Sequence, residues 1–125
     1  MVAEDRDAIA FLDIRPVTPA HTLVISRRHA ELVGGLSRDE WIAVAALAQR
    51  VQAAIRDAKA TRCDAMNLYV ADGETAGQEV PHVHMHVVPR FSGDGFGLRL
   101  PPGYGRIAER AELDATAERI RTSMS

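Results

Sequence analysis

"PHVHMHVVPR", residues 81–90, sets His82, His84 and His86 in alternation with Val83, Met85 and Val87. In an extended chain successive side chains point to opposite faces. The spacing therefore predicts a strand with imidazoles on one side and an apolar core on the other. Pro89 is expected to stop that strand, because proline has no N–H to give to a ladder.

Strand geometry also ranks the chemistries open to such a face. Residues two apart are separated by about 6.5–7 Å, so His82 and His86 stand about 13 Å apart at the backbone. Zinc takes nitrogen ligands at about 2.0–2.1 Å, within reach of two neighbours but not of all three. A metal site would have to draw its other ligands from His21, His29 or scattered carboxylates. Buried imidazoles would each need a hydrogen-bond partner. Since Val83, Met85 and Val87 already supply the apolar side, the histidine face is read as the wall of a pocket. Such a pocket suits phosphorus chemistry, in which a neutral imidazole attacks and a covalent phosphoimidazole divides one hard displacement into two easier ones. His84 has a histidine on both sides and is the natural nucleophile. It must be held neutral by a fixed acceptor for its other ring N–H, while its neighbours orient it, donate hydrogen bonds or attend the leaving group.

The rest of the chain supplies a frame for this strand. "AIAFLDI" (8–14) and "TLVIS" (22–26) read as strands joined by the proline-containing "RPVTPAH", and "AMNLYVA" (65–71) as a third. The last of these closes at Asp72-Gly73, and the turn formers of "DGETAGQE" then make a hairpin-like pair with the histidine strand. Between them, Ser37 and Glu40 form a capping box, and Val44, Leu47, Val51, Ile55 and Ala58 recur at steps of three and four along a helix of about six turns. "SGDGFGLRLPPGYG" (92–105) holds five glycines and two prolines and reads as a loop or lid. Residues 107–122 read as a C-terminal helix through Ala111, Leu113, Ala117 and Ile120. The sum is one α+β domain over residues 1–125, a mostly antiparallel sheet of about five strands with one long helix packed on it.

Composition narrows the partners. The 125 residues carry a net charge of −2, 46% apolar and 26% charged residues. Those values describe an ordinary globular chain without the concentrated positive charge that nucleic-acid binding requires. A single cysteine, Cys63, rules out an internal disulfide framework. "MVAEDRDAIAFLDI" does not read as a signal peptide, and no run approaches the roughly 18 apolar residues of a membrane helix. A cytosolic protein without membrane or nucleic-acid partners is expected.

"HVHMHVV" matches the His-x-His-x-His-x-x signature of the histidine-triad (HIT) family. "AFLDIRPVTPAHTLVISRRH" resembles that family's ribose-side strand and loop, and "AGQEVPHVHMHVVPR" its phosphate site; the likeness runs over residues 4–91 or so. It implies a HIT-like fold and a nucleotidyl hydrolase or transferase. The enzyme would act at the α-phosphate of a nucleoside phosphoramidate, an adenylate conjugate or a dinucleoside polyphosphate, releasing AMP if the base is adenine. By that resemblance His84 forms the nucleotidyl-histidine, His86 meets the scissile or leaving atom, His82 supports His84, and His21 buttresses the group. Asp13 falls where ribose hydroxyls bind, Phe11 and Ile14 near the base, and Gln78 and Glu79 on the phosphate-binding turn. The resemblance further implies a purine nucleotide as substrate, no cofactor or metal for the chemistry, and a two-fold homodimer built through the helix at 38–60.

Three departures stand out. The segment before residue 4 is shorter than in many members and has no Cys-x-x-Cys zinc pair, Ala71 stands where many have Asn or Gln, and Ala20 where Gly is commoner. The last is tolerable only if the backbone there does not need a positive φ. Ala71 and the short N-terminal segment leave a second reading open, a nucleotide-binding or sensing dimer with little turnover. A metal-binding protein using two of the three histidines is the third.

Overall fold

The computed structural model describes residues 1–124. Five strands form one antiparallel sheet: β1 (Ala3–Glu4), β2 (Ala8–Leu12), β3 (Thr22–Ser26), β4 (Ala65–Val70) and β5 (His84–Arg90), in the order β1-β2-β3-β5-β4. Helix α1 (Arg38–Ala58) covers one face, and α2 (Arg110–Met124) follows the glycine-rich segment. The α+β class, the long helix and the β4–β5 hairpin expected from the sequence are all present.

Helix α1 begins where the capping box predicts. Ser37 Oγ accepts the Glu40 N–H at 3.1 Å, and the Glu40 carboxylate accepts the Ser37 N–H at 2.8 Å. Two orphan donors of the first turn are thereby satisfied. Val44, Leu47, Ala48, Val51 and Ile55 are buried against Ala8, Ala10, Val24 and Val87 of the sheet, while Ala58, at the end of the expected stripe, is exposed. Each large aliphatic side chain so buried stabilises the fold by about 1.5–3 kcal/mol. This packing commits Val24, Met85 and Val87 to the helix side, so period-2 alternation puts Leu23, Ile25, His84 and His86 on the other.

The strands expected at 8–14 and 65–71 end at Leu12 and Val70, and both ends of the histidine strand differ from expectation. The histidine strand starts at His84, which places His82 in the turn before it, and it continues through Pro89 to Arg90. Pairing with β3 ends at Val87, whereas pairing with β4 continues to Arg90. Pro89 thus lies where β5 has a single neighbour and a missing N–H is tolerated. Thr18 Oγ1 donates to its carbonyl at 2.6 Å.

The C-terminal helix forms three residues later than expected and buries nothing. All residues from 97 to 124 are exposed, Leu113 and Ile120 among them. No helix among the described residues is long and apolar enough to cross a membrane.

Candidate active site

The face of the sheet opposite α1 carries a cleft of about 530 Å³ whose wall includes His84, His86, His21, Asp13, Ile14, Tyr69, Ala71, Gly77 and Glu79. A smaller apolar hollow of about 270 Å³ adjoins it, lined by Phe11, Leu23, Ile25, Val80, His82 and His84. Leu23, Val80 and His84 line both spaces. A third hollow of about 620 Å³ lies beside Glu31, Glu74 and Glu79. It is the largest of the three, but it holds no histidine and its carboxylates repel anions, so the histidine cleft is the candidate site.

Hydrogen bonds define which ring nitrogens carry protons. His84 Nδ1 lies 2.7 Å from the His82 carbonyl oxygen. A carbonyl only accepts, so Nδ1–H donates and, in the neutral ring, Nε2 carries the lone pair. This is the fixed acceptor that a neutral nucleophilic imidazole requires. His84 itself is only 9% exposed.

A second chain of bonds sets His86. The Val17 N–H donates to His21 Nδ1 at 3.1 Å, so the proton of the neutral His21 ring sits on Nε2. That Nε2–H donates to His86 Nδ1 at 2.9 Å, which leaves the His86 proton on Nε2. Burial, reinforced by His84 and His21, pushes the His86 pKa down to about 4. Burial likewise lowers that of His21, against the opposing pull of Asp13. Both rings are neutral at neutral pH, and the 3.7 Å approach of Asp13 Oδ2 to His21 Nδ1 is not an ion pair. The other Asp13 oxygen accepts the Arg15 N–H at 2.9 Å and shapes the turn.

His82 stands apart from the other two. Its Nε2–H donates to the Ser26 carbonyl at 2.7 Å, and its Nδ1 lies 3.3 Å from Nδ1 of His29. The adjoining Val83 N–H donates to the Ala30 carbonyl at 2.8 Å. These bonds fasten the turn before β5 to the end of β3, and with it the carbonyl that orients His84.

The loop at 72–80 is differently built from what its sequence suggests. A 3₁₀ turn, Glu74–Ala76, lies between Gly73 (φ 111°) and Gly77 (φ 98°), both in backbone regions that favour glycine. The N–H groups of Gly77 and Gln78 donate within the turn to the carbonyls of Glu74 and Gly73, so neither is free to face an anion. The Gln78 side chain donates to the carbonyls of Glu31 and Val80 and accepts from the Gly73 N–H at 2.8 Å. Its amide therefore holds the loop and lines the acidic hollow, whereas Glu79 borders both spaces.

Tyr69 is a wall residue that sequence reasoning missed. Its ring stacks on His86 with centroids 4.4 Å apart and an interplanar angle of 12°. The pairing of Tyr69 with His86 across β4–β5 makes this contact. Alternation in "AMNLYV" could have put Tyr69 on the histidine face only if the hairpin register had been known. Among the described residues no group of three or more His, Cys, Asp or Glu side chains is disposed to hold a metal ion.

Comparison with known proteins agrees with this fold. The model of the HIT domain family matches residues 1–93. An uncharacterised HIT-like protein of Methanocaldococcus jannaschii is 38% identical over 97% of this chain and 88% of its own. Among solved structures, a HIT family member from Bacillus subtilis is 34% identical, with a TM-score of 0.86 over 97% of this chain and 84% of that one. A protein from Streptococcus mutans is 33% identical, with a TM-score of 0.88 over 99% and 76%.

Proposed function

The chain belongs to the HIT domain family, and on that footing we propose that it is a nucleotidyl hydrolase working through a covalent intermediate on His84. The family is one of nucleotide-binding proteins, in general hydrolases or transferases. The single observation that carries the finer reading is the bare Nε2 of His84, held by the 2.7 Å bond from Nδ1–H to the His82 carbonyl.

In this reading the nucleotide lies across both spaces, with the base in the apolar hollow beside Phe11 and the ribose by Asp13; Ile14, expected near the base with Phe11, lines the cleft and not the hollow. The α-phosphate then faces His84. Nε2 attacks phosphorus, the P–N or P–O bond to the leaving group breaks, and the leaving group takes up a proton from solvent, which the attacking water gives back in the second step. His86 Nε2–H donates a hydrogen bond to the departing atom, and His21 fixes that proton's position through His86 Nδ1. Water then attacks phosphorus, the P–Nε2 bond breaks, and the nucleoside monophosphate leaves with His84 regenerated. His82 contributes through its carbonyl, Gln78 through the shape of the loop, and Glu79 from the rim. Purine nucleoside phosphoramidates, adenylate conjugates and dinucleoside polyphosphates fit this scheme.

The same reading takes residues 1–125 as one domain in the cytosol and as a homodimer. The unburied apolar side chains of the tail, Leu98, Ile107, Leu113 and Ile120, favour association. Sedimentation equilibrium checks this, and a monomer at micromolar concentration would overturn it.

The experiment is to offer adenosine 5′-phosphoramidate and diadenosine polyphosphates, after chelation, to the wild type and to His84→Ala. Turnover that vanishes in the variant, with an acid-labile nucleotidyl adduct on the peptide containing His84, is the expected result. Activity surviving in His84→Ala would sink the covalent step. Two observations favour a second reading, a sensor with little turnover: Ala71 leaves its part of the wall apolar, and the Gln78 amide is used inside the loop. Tight AMP binding without turnover of any of these substrates would select it.

A further inference from the structure

The cleft poses a problem of charge that its named histidines do not solve. A phosphoryl group brings negative charge, yet Asp13 and Glu79 on the wall are carboxylates. His84 has to offer a lone pair at Nε2, and both nitrogens of His21 are engaged, one by Val17 and one by His86. Ala71, Ala76, Gly77, Val80 and Leu23 have no side-chain donor. Arg15 lies on the exposed turn beside Asp13. Apart from Arg15, the side-chain donors left on the wall are His86 Nε2–H and the hydroxyl of Tyr69.

Tyr69 is built for such a task. Its ring lies face to face with His86, so the two rings hold each other's planes. Among the described residues its hydroxyl makes no hydrogen bond, and the residue, 37% exposed, stands open on the wall of the cleft. Burial and Asp13 raise its pKa further above the usual phenol value, which keeps the proton on it throughout the neutral range.

We propose that Tyr69 is a ligand-contacting residue, whose hydroxyl donates a hydrogen bond to an oxygen of the phosphoryl group in transfer while its ring clamps the plane of His86. The inference rests on the nucleotidyl-transfer reading above and adds a second neutral donor to it. Two neutral donors suit an anion flanked by carboxylates, because they supply hydrogen bonds without protonating the nucleophile. The stacking and the hydroxyl are separable. Tyr69→Phe keeps the clamp and removes the donor, whereas Tyr69→Leu removes both.

The test measures kcat, KM and their pH dependence with adenosine 5′-phosphoramidate for the wild type and these two variants, and AMP affinity by calorimetry. Loss of the hydroxyl is expected to lower kcat about tenfold, less than the 10²–10³ of a fully buried oxyanion donor, with the acid limb of the profile unmoved. Tyr69→Leu is expected to lose more and to move the acid limb upward, as water reaches His86. Tyr69→Phe with wild-type kcat, KM and AMP affinity overturns the proposal and leaves the His84 mechanism standing. If the wild type turns over none of the offered substrates, the transfer reading falls and AMP affinity decides the contact. A several-fold weakening in Tyr69→Phe then supports it, and an unchanged value overturns it.

Discussion

Nε2 of His21 donates to Nδ1 of His86 across 2.9 Å, although 65 positions separate the two in the chain. The bond matters because it selects a tautomer: with Nδ1 occupied, the His86 proton can only sit on Nε2, the nitrogen left for a leaving group. His21 is 1% exposed and its other nitrogen is taken by the Val17 N–H, so it has no freedom to donate elsewhere. Replacing it by Ala lets the His86 proton move to either nitrogen. We expect kcat on adenosine 5′-phosphoramidate to fall about 10²-fold, the lower end of what positioned proton donors contribute. Melting temperatures measured alongside separate this from unfolding, and His21→Gln, which keeps an N–H donor, is expected to recover part of the loss. Wild-type kcat in folded His21→Ala would refute the relay.

The depressed pKa of His86 also predicts how stability follows pH. The unfolded chain takes up a proton on this ring near the ordinary value of 6.5, the folded one only near 4. Between those values the unfolded state binds more protons, so stability falls as the pH drops through the window and the effect of this group is complete below it. The downward shift of His21 acts in the same direction. Glu40, held at about 2 by Arg28 and the Ser37 N–H, acts in the same direction over a lower window: its stabilising contribution is present above the ordinary carboxylate value of 4.5 and is lost as the pH falls from there through about 2. Thermal melts from pH 7.5 to 4.5 should therefore show a steeper decline in the wild type than in His86→Gln. Parallel curves would mean that the ring is not neutral and buried as described.

Gln78 is expected to act on stability and loop order more than on chemistry. Its amide makes three hydrogen bonds that join Gly73, Glu31 and Val80. A net value of about 0.5–1.5 kcal/mol for each, reduced by partial exposure, gives roughly 1–2 kcal/mol for Gln78→Ala. Amide exchange at Gly73 should quicken and KM should rise as the loop beside the cleft loosens, while kcat changes less than in His21→Ala. A collapse of kcat with an undisturbed loop would instead give the amide a direct part in the reaction.

How much of this could be read in advance depends on whether a feature is local. The capping box at Ser37 and Glu40 and the stripe from Val44 to Ile55 are contained in consecutive residues, and α1 forms as they dictate. The alternation of His84 and His86 with Met85 and Val87 likewise survives intact. His82 does not share their strand, because its ring and the next N–H find partners at Ser26 and Ala30, whose positions depend on the fold. The resemblance pointed to His21 beside the histidines, but its proton depends on a bond from Val17 that no spacing reveals. Tyr69 needed the register of β4 on β5, and the use of the Gln78 amide needed Glu31 to be brought beside it. The tail shows the converse: Leu113 and Ile120 recur at helical spacing, and the helix forms, yet neither is buried.

Ala20 gives the last prediction, on backbone strain. It stands at φ 70° in the turn that delivers His21, so the condition under which an alanine there would be harmless is not met. For an L-residue this left-handed conformation costs roughly 1–2 kcal/mol, because Cβ crowds the following carbonyl oxygen. Glycine removes that penalty but gains freedom in the unfolded chain, a loss of about 0.4–1 kcal/mol on folding. The difference favours Ala20→Gly by about 0.5–1 kcal/mol, or a rise of about 2–5 °C in melting temperature for a domain of this size. The strain is held by bonds on both sides of the residue: the His21 N–H donates to the Thr18 carbonyl at 3.1 Å, and Thr22 Oγ1 donates to the Ala20 carbonyl at 2.9 Å. Because these bonds use backbone atoms and the Thr22 hydroxyl, the glycine variant keeps them. The His21–His86 contact should survive with wild-type activity. A lower melting temperature in Ala20→Gly would show that the turn does not hold this residue in the left-handed region.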